Sequence, residues 1–150
     1  MKDFLRSWRR KAMHKALNYL ALARKAGRIE LGEEPVGAVA RARKARLVVV
    51  ASDASDHTWR RAVSFVAETD QQCIRAPFNK DELGLAVGRT SLALAAFTDA
   101  ALALSFLKAM DQPERYQDQI ASLDKRAQRI RQRQKEAKAH EKNVRQGKKK

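Results

Sequence analysis

The apolar run at residues 47–51 (LVVVA) constrains the fold more than any other stretch of this chain. It contains three β-branched valines and no polar residue, which is typical of a β-strand covered on both faces. Such a strand requires helices above and below its sheet. Three further segments, residues 28–31, 72–77 and 92–97, predict the other strands of the same sheet.

Helical patterns separate these strand candidates. Apolar residues recur at helical spacing over residues 12–26, and Gly27 follows as a stop signal. Gly32 is predicted to open a second helix. Asn79 and Glu82 have the spacing of a capping box, which predicts the start of another helix between two strands.

The alternation of helices and strands predicts a three-layer α/β/α sandwich with a small mixed four-stranded sheet. This domain is expected to span residues 12–110, and its last helix would follow the N-cap residue Asp99. A basic lead-in at residues 1–11 and a basic helical or disordered tail at residues 111–150 would flank it.

The net charge of +15 is concentrated towards the two ends of the chain. Residues 1–12 carry +4, residues 13–110 carry +4 and residues 111–150 carry +7. The apolar content of 44% is ordinary for a globular protein. A nearly balanced body between basic arms is typical of a protein that binds a polyelectrolyte.

The tail carries a short apolar seam. Its members follow a 4-3 spacing: Tyr116, Ile120, Leu123, Ala127 and Ile130. The seam predicts a helix that docks on the body or pairs with a partner helix. The alternative is a solvated helix that frays into a disordered lysine-rich end, because the apolar spacing stops after Ile130.

No constellation typical of catalysis, metal binding or membrane insertion is visible. The three histidines lie far apart, and the single cysteine, Cys73, excludes an intramolecular disulfide and is expected to be buried. The acidic turn at residues 52–56 lies where helix caps are needed. The most apolar window, residues 91–107, is interrupted by a Thr-Asp pair, and no signal-peptide pattern follows the N-terminus. We therefore expect a cytoplasmic protein with no catalytic residue, cofactor or metal.

Basic residues precede the turn that opens the second helix: Arg24, Lys25 and Arg28. After the turn at Gly32, the helix begins with Glu33 and Glu34. A helix N-terminus beside a basic loop suits a phosphate-bearing partner, because its free N–H groups point outward. In the alternative, the basic residues are a solvated helix end and the two carboxylates complement the helix dipole.

Five segments resemble a known family in their order and spacing: residues 22–27 (LARKAG), 32–34 (GEE), 44–55 (KARLVVVASDAS), 81–89 (DELGLAVGR) and 96–99 (AFTD). They are similar to the bacterial YlxQ-like proteins. These belong to the superfamily of kink-turn RNA-binding ribosomal proteins of the L-seven-Ae and L-thirty-e type. The resemblance covers about residues 12–110 and implies an α/β/α sandwich.

The resemblance also implies an RNA-binding surface built from two pieces. One is the turn and helix start at Gly32, Glu33 and Glu34; the other is the loop of Gly88, Arg89, Thr90 and Ser91. An ordinary connector is the alternative interpretation of that loop.

The chain departs from the family pattern at the first piece. Kink-turn binders show Gly-x-Asn-Glu-x-x-Lys, whereas the Asn, Glu and Lys positions here hold Glu34, Pro35 and Ala38. A carboxylate only accepts hydrogen bonds, and the phosphate-neutralising lysine is lost. RNA binding is expected, but a kink-turn target does not follow.

The leading hypothesis is a non-enzymatic protein that binds structured RNA, such as ribosomal RNA, with basic arms adding phosphate affinity. A second hypothesis is a protein-interaction or ribosome-assembly module that uses the C-terminal helix. A third is a substrate-binding module detached from an RNA-modifying enzyme. Trp8 is a candidate for base stacking, whereas Trp59 is expected in the core.

Overall fold

The computed structural model describes residues 2–145 of the chain, without the side chains of residues 2–5, 8 and 9. Within this range, ten elements follow one another: α1 (Lys2–Lys25), β1 (Ile29–Leu31), α2 (Glu33–Arg41), β2 (Leu47–Val50), α3 (Asp56–Val66), β3 (Gln72–Arg75), α4 (Lys80–Ala86), β4 (Leu94–Phe97), α5 (Ala100–Ala109) and α6 (Gln117–Arg145). Helices and strands alternate through the body, as the sequence predicts.

The four strands form one mixed sheet in the order β1-β4-β2-β3. β2 and β3 are parallel, whereas β4 is antiparallel to both β1 and β2. Every residue of β2 and β4 is buried. This confirms the mixed four-stranded sheet and the strand covered on both faces.

Two groups of helices cover the sheet. α1 packs on α4 and α5, and α5 packs on α6, while α2 packs on α3. The ring of Phe106 from α5 meets that of Phe97 at a centroid distance of 5.3 Å and that of Phe78 at 6.2 Å. The predicted α/β/α architecture is therefore correct.

Local signals at the element boundaries are confirmed. The Asn79 side chain accepts the Glu82 N–H at 2.8 Å, and the Glu82 carboxylate accepts the Asn79 N–H at 3.0 Å. The Asp99 carboxylate accepts two N–H groups of the first turn of α5. Gly27 adopts a φ of +67°, the left-handed conformation that ends a helix at glycine.

The first helix is longer than the sequence pattern predicts. α1 begins at Lys2, whereas apolar spacing supports a helix only from residue 12. Residues 2–11 contain neither glycine nor proline, so no residue type there opposes continuation of the helix. The side chain of Trp8 lies outside the described residues.

The C-terminal seam docks on the body. Leu123 and Ala127 are buried, Ile120 and Ile130 are partly buried, and α6 packs on α5. Residues 131–145 remain helical and are all exposed, and the lysine-rich end at 146–150 lies outside the described residues. The seam that could have received a partner helix is thus occupied by α5.

Two side chains expected in the core are only partly buried, Cys73 and Trp59. Burial raises the pKa of the Cys73 thiol to about 12, so the thiol is protonated at neutral pH. The Arg75 guanidinium lies 5.0 Å from the centre of the Trp59 ring, in a cation–π contact. Within residues 2–145, no helix is both long and apolar enough to cross a membrane.

Candidate functional site

The sheet has two ends, and the predicted site residues are divided between them. We call the end where β4 begins the glycine end, because it carries Gly32 and Gly88. We call the opposite end, where β4 finishes at Phe97, the arginine end. The pairing of Ile29 with Phe97 and of Leu31 with Ala95 fixes which end each residue occupies.

At the glycine end, Gly32 joins β1 to α2. Its φ of +94° is a conformation that L side chains rarely adopt. Its N–H donates to the Leu94 carbonyl at 3.0 Å, and its carbonyl accepts the Val36 N–H at 3.1 Å. No side chain of the described residues caps α2, so the N–H groups of Glu33 and Glu34 face outward without a capping acceptor.

The loop of Gly88 to Ser91 lies directly on α4. The Arg89 N–H donates to the Gly84 carbonyl at 2.7 Å, and Gly88 has a φ of +78°. A Cβ on Gly84 would lie 2.8 Å from both the Arg89 carbonyl oxygen and the Ser91 nitrogen. Because Gly84 has no side chain, the loop can pack directly against α4.

The structure brings this loop and the Gly32 turn to the same end of the sheet. Gly32 lies opposite Leu94, and Ser91 precedes Leu94 by three residues, or about 10 Å of extended chain. Leu85, in the last turn of α4, is 82% exposed at this end and accepts the Gly88 N–H at 3.3 Å. Leu85 and the role of Gly84 were not predicted from the sequence; the available signal was a glycine inside a predicted helix, next to a predicted binding loop.

Charges at the glycine end are nearly balanced. Glu33 forms an ion pair with Arg61, and Glu34 is exposed beside it. These residues line a cleft of about 320 Å³ together with Gly37, Arg41 and Phe65. Arg89 is exposed on the neighbouring loop. This end thus offers backbone donors, carboxylates and isolated cations rather than a positive field.

Arg24, Lys25 and Arg28 do not lie beside Gly32. The Arg28 carbonyl accepts the N–H of Thr98, the residue that follows β4, at 2.9 Å, which places Arg28 at the arginine end. β1 runs between Arg28 and Gly32, so about 13 Å of extended chain separates them. The prediction of a basic loop beside the N-terminus of α2 is therefore wrong. The extended strand β1 lies between these residues, so residues that are close in sequence lie at opposite ends of the sheet.

Other basic residues join Arg28 at the arginine end. The Arg46 N–H donates to the Phe97 carbonyl at 2.7 Å, and Arg43 and Lys44 lie in the connection just before it. Arg43 adopts a φ of +60°, and the Arg46 guanidinium donates to its carbonyl at 3.4 Å. Only the strand pairing, which sequence patterns do not reveal, brings this connection beside Arg28.

Helix α6 also reaches the arginine end. Arg126 forms an ion pair with Asp70, which precedes β3, and Ser122 accepts a hydrogen bond from Gln72 at 3.2 Å. Burial acts to raise the pKa of Asp70, but the hydrogen bond and charge of Arg126 outweigh it and the pKa lies below its ordinary value. Burial and the charge of Arg126 lower the pKa of Arg46, and nearby carboxylates oppose this.

Comparisons with known proteins agree with this architecture. The chain is similar to a solved protein of unknown function from Bacillus halodurans, with a TM-score of 0.61 and 26% identity over 65% of this chain and 98% of that one. It shares its fold with a Giardia lamblia 15.5 kD RNA-binding protein, with a TM-score of 0.54 and 18% identity over 69% of this chain and 88% of that one. No curated protein matches the chain. The model of one family matches residues 14–103, and the chain therefore belongs to the ribosomal protein L7Ae/L30e/S12e/Gadd45 family.

Proposed function

We propose that this protein binds structured RNA through the glycine end and catalyses no reaction. The observation that carries the proposal is the hydrogen bond from the Gly32 N–H to the Leu94 carbonyl, which holds the Gly32 turn beside the strand that follows the Gly88 loop. Family membership and the RNA-binding activity of the Giardia lamblia relative support it. The contact residues would be the following: Gly32, Glu33, Glu34, Gly88, Arg89, Thr90 and Ser91.

The chemistry of the glycine end suits bases that are displayed by a folded RNA. Outward N–H groups at the start of α2 can donate to phosphate or carbonyl oxygens. Glu34 can accept from amino groups of cytosine or guanine, and Arg89 can donate to a phosphate or a guanine edge. The exposed side chain of Leu85 can pack against an unstacked base.

We infer that the RNA differs from a kink-turn with sheared base pairs. Glu34, Pro35 and Ala38 are all exposed on the first turns of α2, where kink-turn binders present an amide, a carboxylate and a lysine. The amide can donate as well as accept, whereas Glu34 only accepts. Bases with outward amino groups would replace acceptor-rich base edges as the preferred contact.

Basic surface next to the glycine end would add affinity without sequence information. Lys11 and Lys15 of α1 line a cleft of about 310 Å³ with Lys108 of α5. α5 starts at the arginine end, so its last residues lie towards the glycine end. Phosphate contacts of this kind position an RNA but carry no base information.

We propose that this activity takes place in the cytoplasm, in ribosomal or translation-related particles. We also propose that, within its family, the chain is one of the YlxQ-like proteins. RNA crosslinking in cells, with sequencing of the bound RNA, tests it. Arg89→Glu is the test variant and Arg60→Glu is the control, because Arg60 is exposed on α3 and carries the same charge. Arg89→Glu should lose discrete crosslink sites that Arg60→Glu retains. Identical site profiles in both variants would contradict the proposal.

A further inference from the structure

We propose that the arginine end and the exposed part of α6 form a second nucleic-acid surface, which binds a phosphate backbone and lets one molecule hold two RNA segments. The surface is defined by seven cationic residues at the arginine end: Arg24, Lys25, Arg28, Arg43, Lys44, Arg46 and Arg126. The holding of two RNA segments rests on the proposed function, whereas phosphate binding by the second surface does not. The residues involved are separate from those of the glycine end.

Strand pairing brings these cations together from three parts of the chain. Arg28 precedes β1 and contacts the residue after β4, whereas Arg46 precedes β2 and donates to the last residue of β4. α6 adds Arg126 through its contact with Asp70. The side chains of Arg28 and Lys44 are exposed to solvent. The fold thus concentrates cations at one end of the sheet, where an extended polyanion can reach them.

The carboxylates at this end do not neutralise the cluster. Among the described residues, the connections that form this end carry three: Glu68, Asp70 and Asp99. Asp70 is paired with Arg126, and Asp99 accepts the N–H groups of Ala101 and Leu102. Seven cations against three carboxylates leave a positive excess. Repulsion between like charges opposes folding unless a partner supplies anions. The clustering of these cations therefore indicates a function other than stabilising the fold.

α6 extends this charge beyond the body. The helix contacts Gln72 at Ser122 and then Asp70 at Arg126, so it passes the sheet towards the arginine end. Its residues 131–145 are exposed and carry six lysines or arginines against two glutamates. At 1.5 Å per residue, the helix from Arg126 to Arg145 adds about 28 Å to the surface.

The partner that fits this surface best is a nucleic-acid backbone. The cations are spread over the end of the sheet and along a helix, and the exposed part of α6 has almost no apolar residues that could form a protein interface core. Regularly spaced charge over such a length matches a line of phosphates. An acidic protein would need clustered apolar anchors, whereas residues 131–145 present a single large exposed hydrophobic side chain, that of Val144.

A bridging assay tests the second surface with the full chain. RNA that copurifies with the protein is fixed to beads, and capture of a fluorescent RNA duplex by the bound protein is measured in a buffer in which the protein is monomeric. The test variant is Arg28→Gln/Lys44→Gln. The control is Arg60→Gln/Arg115→Gln, which removes the same charge from exposed sites outside both proposed surfaces.

The test variant should capture the fluorescent duplex about tenfold less well than wild type, because two phosphate contacts are lost. The slope of its log Kd against log salt should fall by about two, since roughly one counterion is released per phosphate contact. The control should behave like wild type. Equal capture by wild type and the test variant, or equal loss in the control, overturns the inference. Inhibition by polyglutamate without any RNA capture also overturns it, in favour of an acidic protein partner.

Mapping of RNA-crosslinked peptides separates this inference from the proposed function. Crosslinks at residues 28 and 43–46 support the second surface, whatever happens at the glycine end. If they occur without crosslinks at residues 85–91, the second surface stands and the proposed function fails. If crosslinks occur only at residues 85–91, the second surface is ruled out and the proposed function stands.

Discussion

The two ends of the sheet are built by different means. The glycine end depends on close backbone contacts: Gly32 against Leu94, and Gly84 beneath the loop of Arg89 and Ser91. The arginine end depends on charges that converge from separate segments, as Arg28 and the arginines near the start of β2 do. If the two proposed functions are correct, one small domain separates recognition of RNA shape from affinity for phosphate. Each property can then be changed without the other.

The mutation from which we expect the largest loss of stability tests where α6 stops packing on the body. Leu123 is a fully buried residue of α6, so Leu123→Ala should destabilise the protein by about 2–5 kcal/mol. A chain truncated after Ile130 should keep wild-type stability, because residues 131–145 are exposed. Denaturant unfolding measures both. Equal stability of Leu123→Ala and wild type would show that α6 does not belong to the body.

The next largest effect concerns how the glycine end is held. Gly84→Ala forces a methyl group to within 2.9 Å of loop backbone atoms, whereas Gly37→Ala meets the side chains of Phe65 and Arg41 at 3.1–3.3 Å. Gly84→Ala should lower stability by about 1–3 kcal/mol, because rigid backbone must shift. It should also weaken RNA binding.

Gly37→Ala is the matched control for this experiment. Flexible side chains can move away from its methyl group, and alanine favours a helix over glycine by up to about 1 kcal/mol. We expect near-neutral stability from unfolding curves. Because Gly37 lines the cleft of Glu33 and Glu34, we expect filter binding to show a smaller loss of RNA affinity than in Gly84→Ala. If Gly84→Ala binds RNA as tightly as Gly37→Ala, Gly84 does not position the loop for RNA binding.

A third effect compares selectivity with salt dependence. Arg89→Gln should reduce discrimination between a selected RNA and an unrelated one by about tenfold, or 1.4 kcal/mol, because it changes the proposed recognition surface. Arg28→Gln/Lys44→Gln should leave discrimination unchanged and flatten the salt dependence. Titrations with both RNAs over about 50–200 mM salt measure this. The proposed roles of the two ends would be contradicted if Arg89→Gln flattened the salt dependence and Arg28→Gln/Lys44→Gln reduced the discrimination.

The smallest effect concerns the ion pair that ties α6 to the arginine end. Arg126 lowers the pKa of Asp70 below its ordinary value of 3.8, so the pair stabilises the folded state above that pH. This contribution is lost as the pH falls through the lowered pKa. Because the Asp70 side chain is 70% exposed, we expect less than about 1 kcal/mol.

An NMR titration of the Asp70 carboxyl group checks this effect. Arg126→Ala should raise the pKa of Asp70, whereas Arg129→Ala, an exposed cation on the same helix, should leave it unchanged. An Asp70 pKa that does not respond to Arg126→Ala would mean that the ion pair does not persist in solution.

Features that depend on neighbouring residues could be predicted from sequence. The capping box of Asn79 and Glu82 is one example, and the buried valines of β2 are another, because spacing alone specifies both. The α/β/α layers follow from these patterns. The length of α6 was harder to predict, because its exposed half has no apolar stripe. The available signal was that residues 117–145 contain no helix-breaking residue.

Features that depend on strand pairing could not be predicted. Arg28 and Gly32 are four residues apart, yet the antiparallel pairing of β1 with β4 places them at opposite ends of the sheet. The same pairing brings Arg46 next to the end of β4. Gly84 acquires its role only because the following loop folds back on its own helix. Each of these facts is tertiary, and no periodicity in the sequence encodes it.

The most direct test of the account is a map of RNA-crosslinked residues at low and high salt, using RNA that copurifies with the protein. Phosphate contacts weaken steeply with salt, whereas hydrogen bonds to bases weaken less. We predict that crosslinks at residues 28, 43–46 and 131–145 fade between about 50 and 200 mM salt, while those at residues 32–38 and 85–91 persist. Crosslinks that persist at the arginine end and fade at the glycine end would contradict the account.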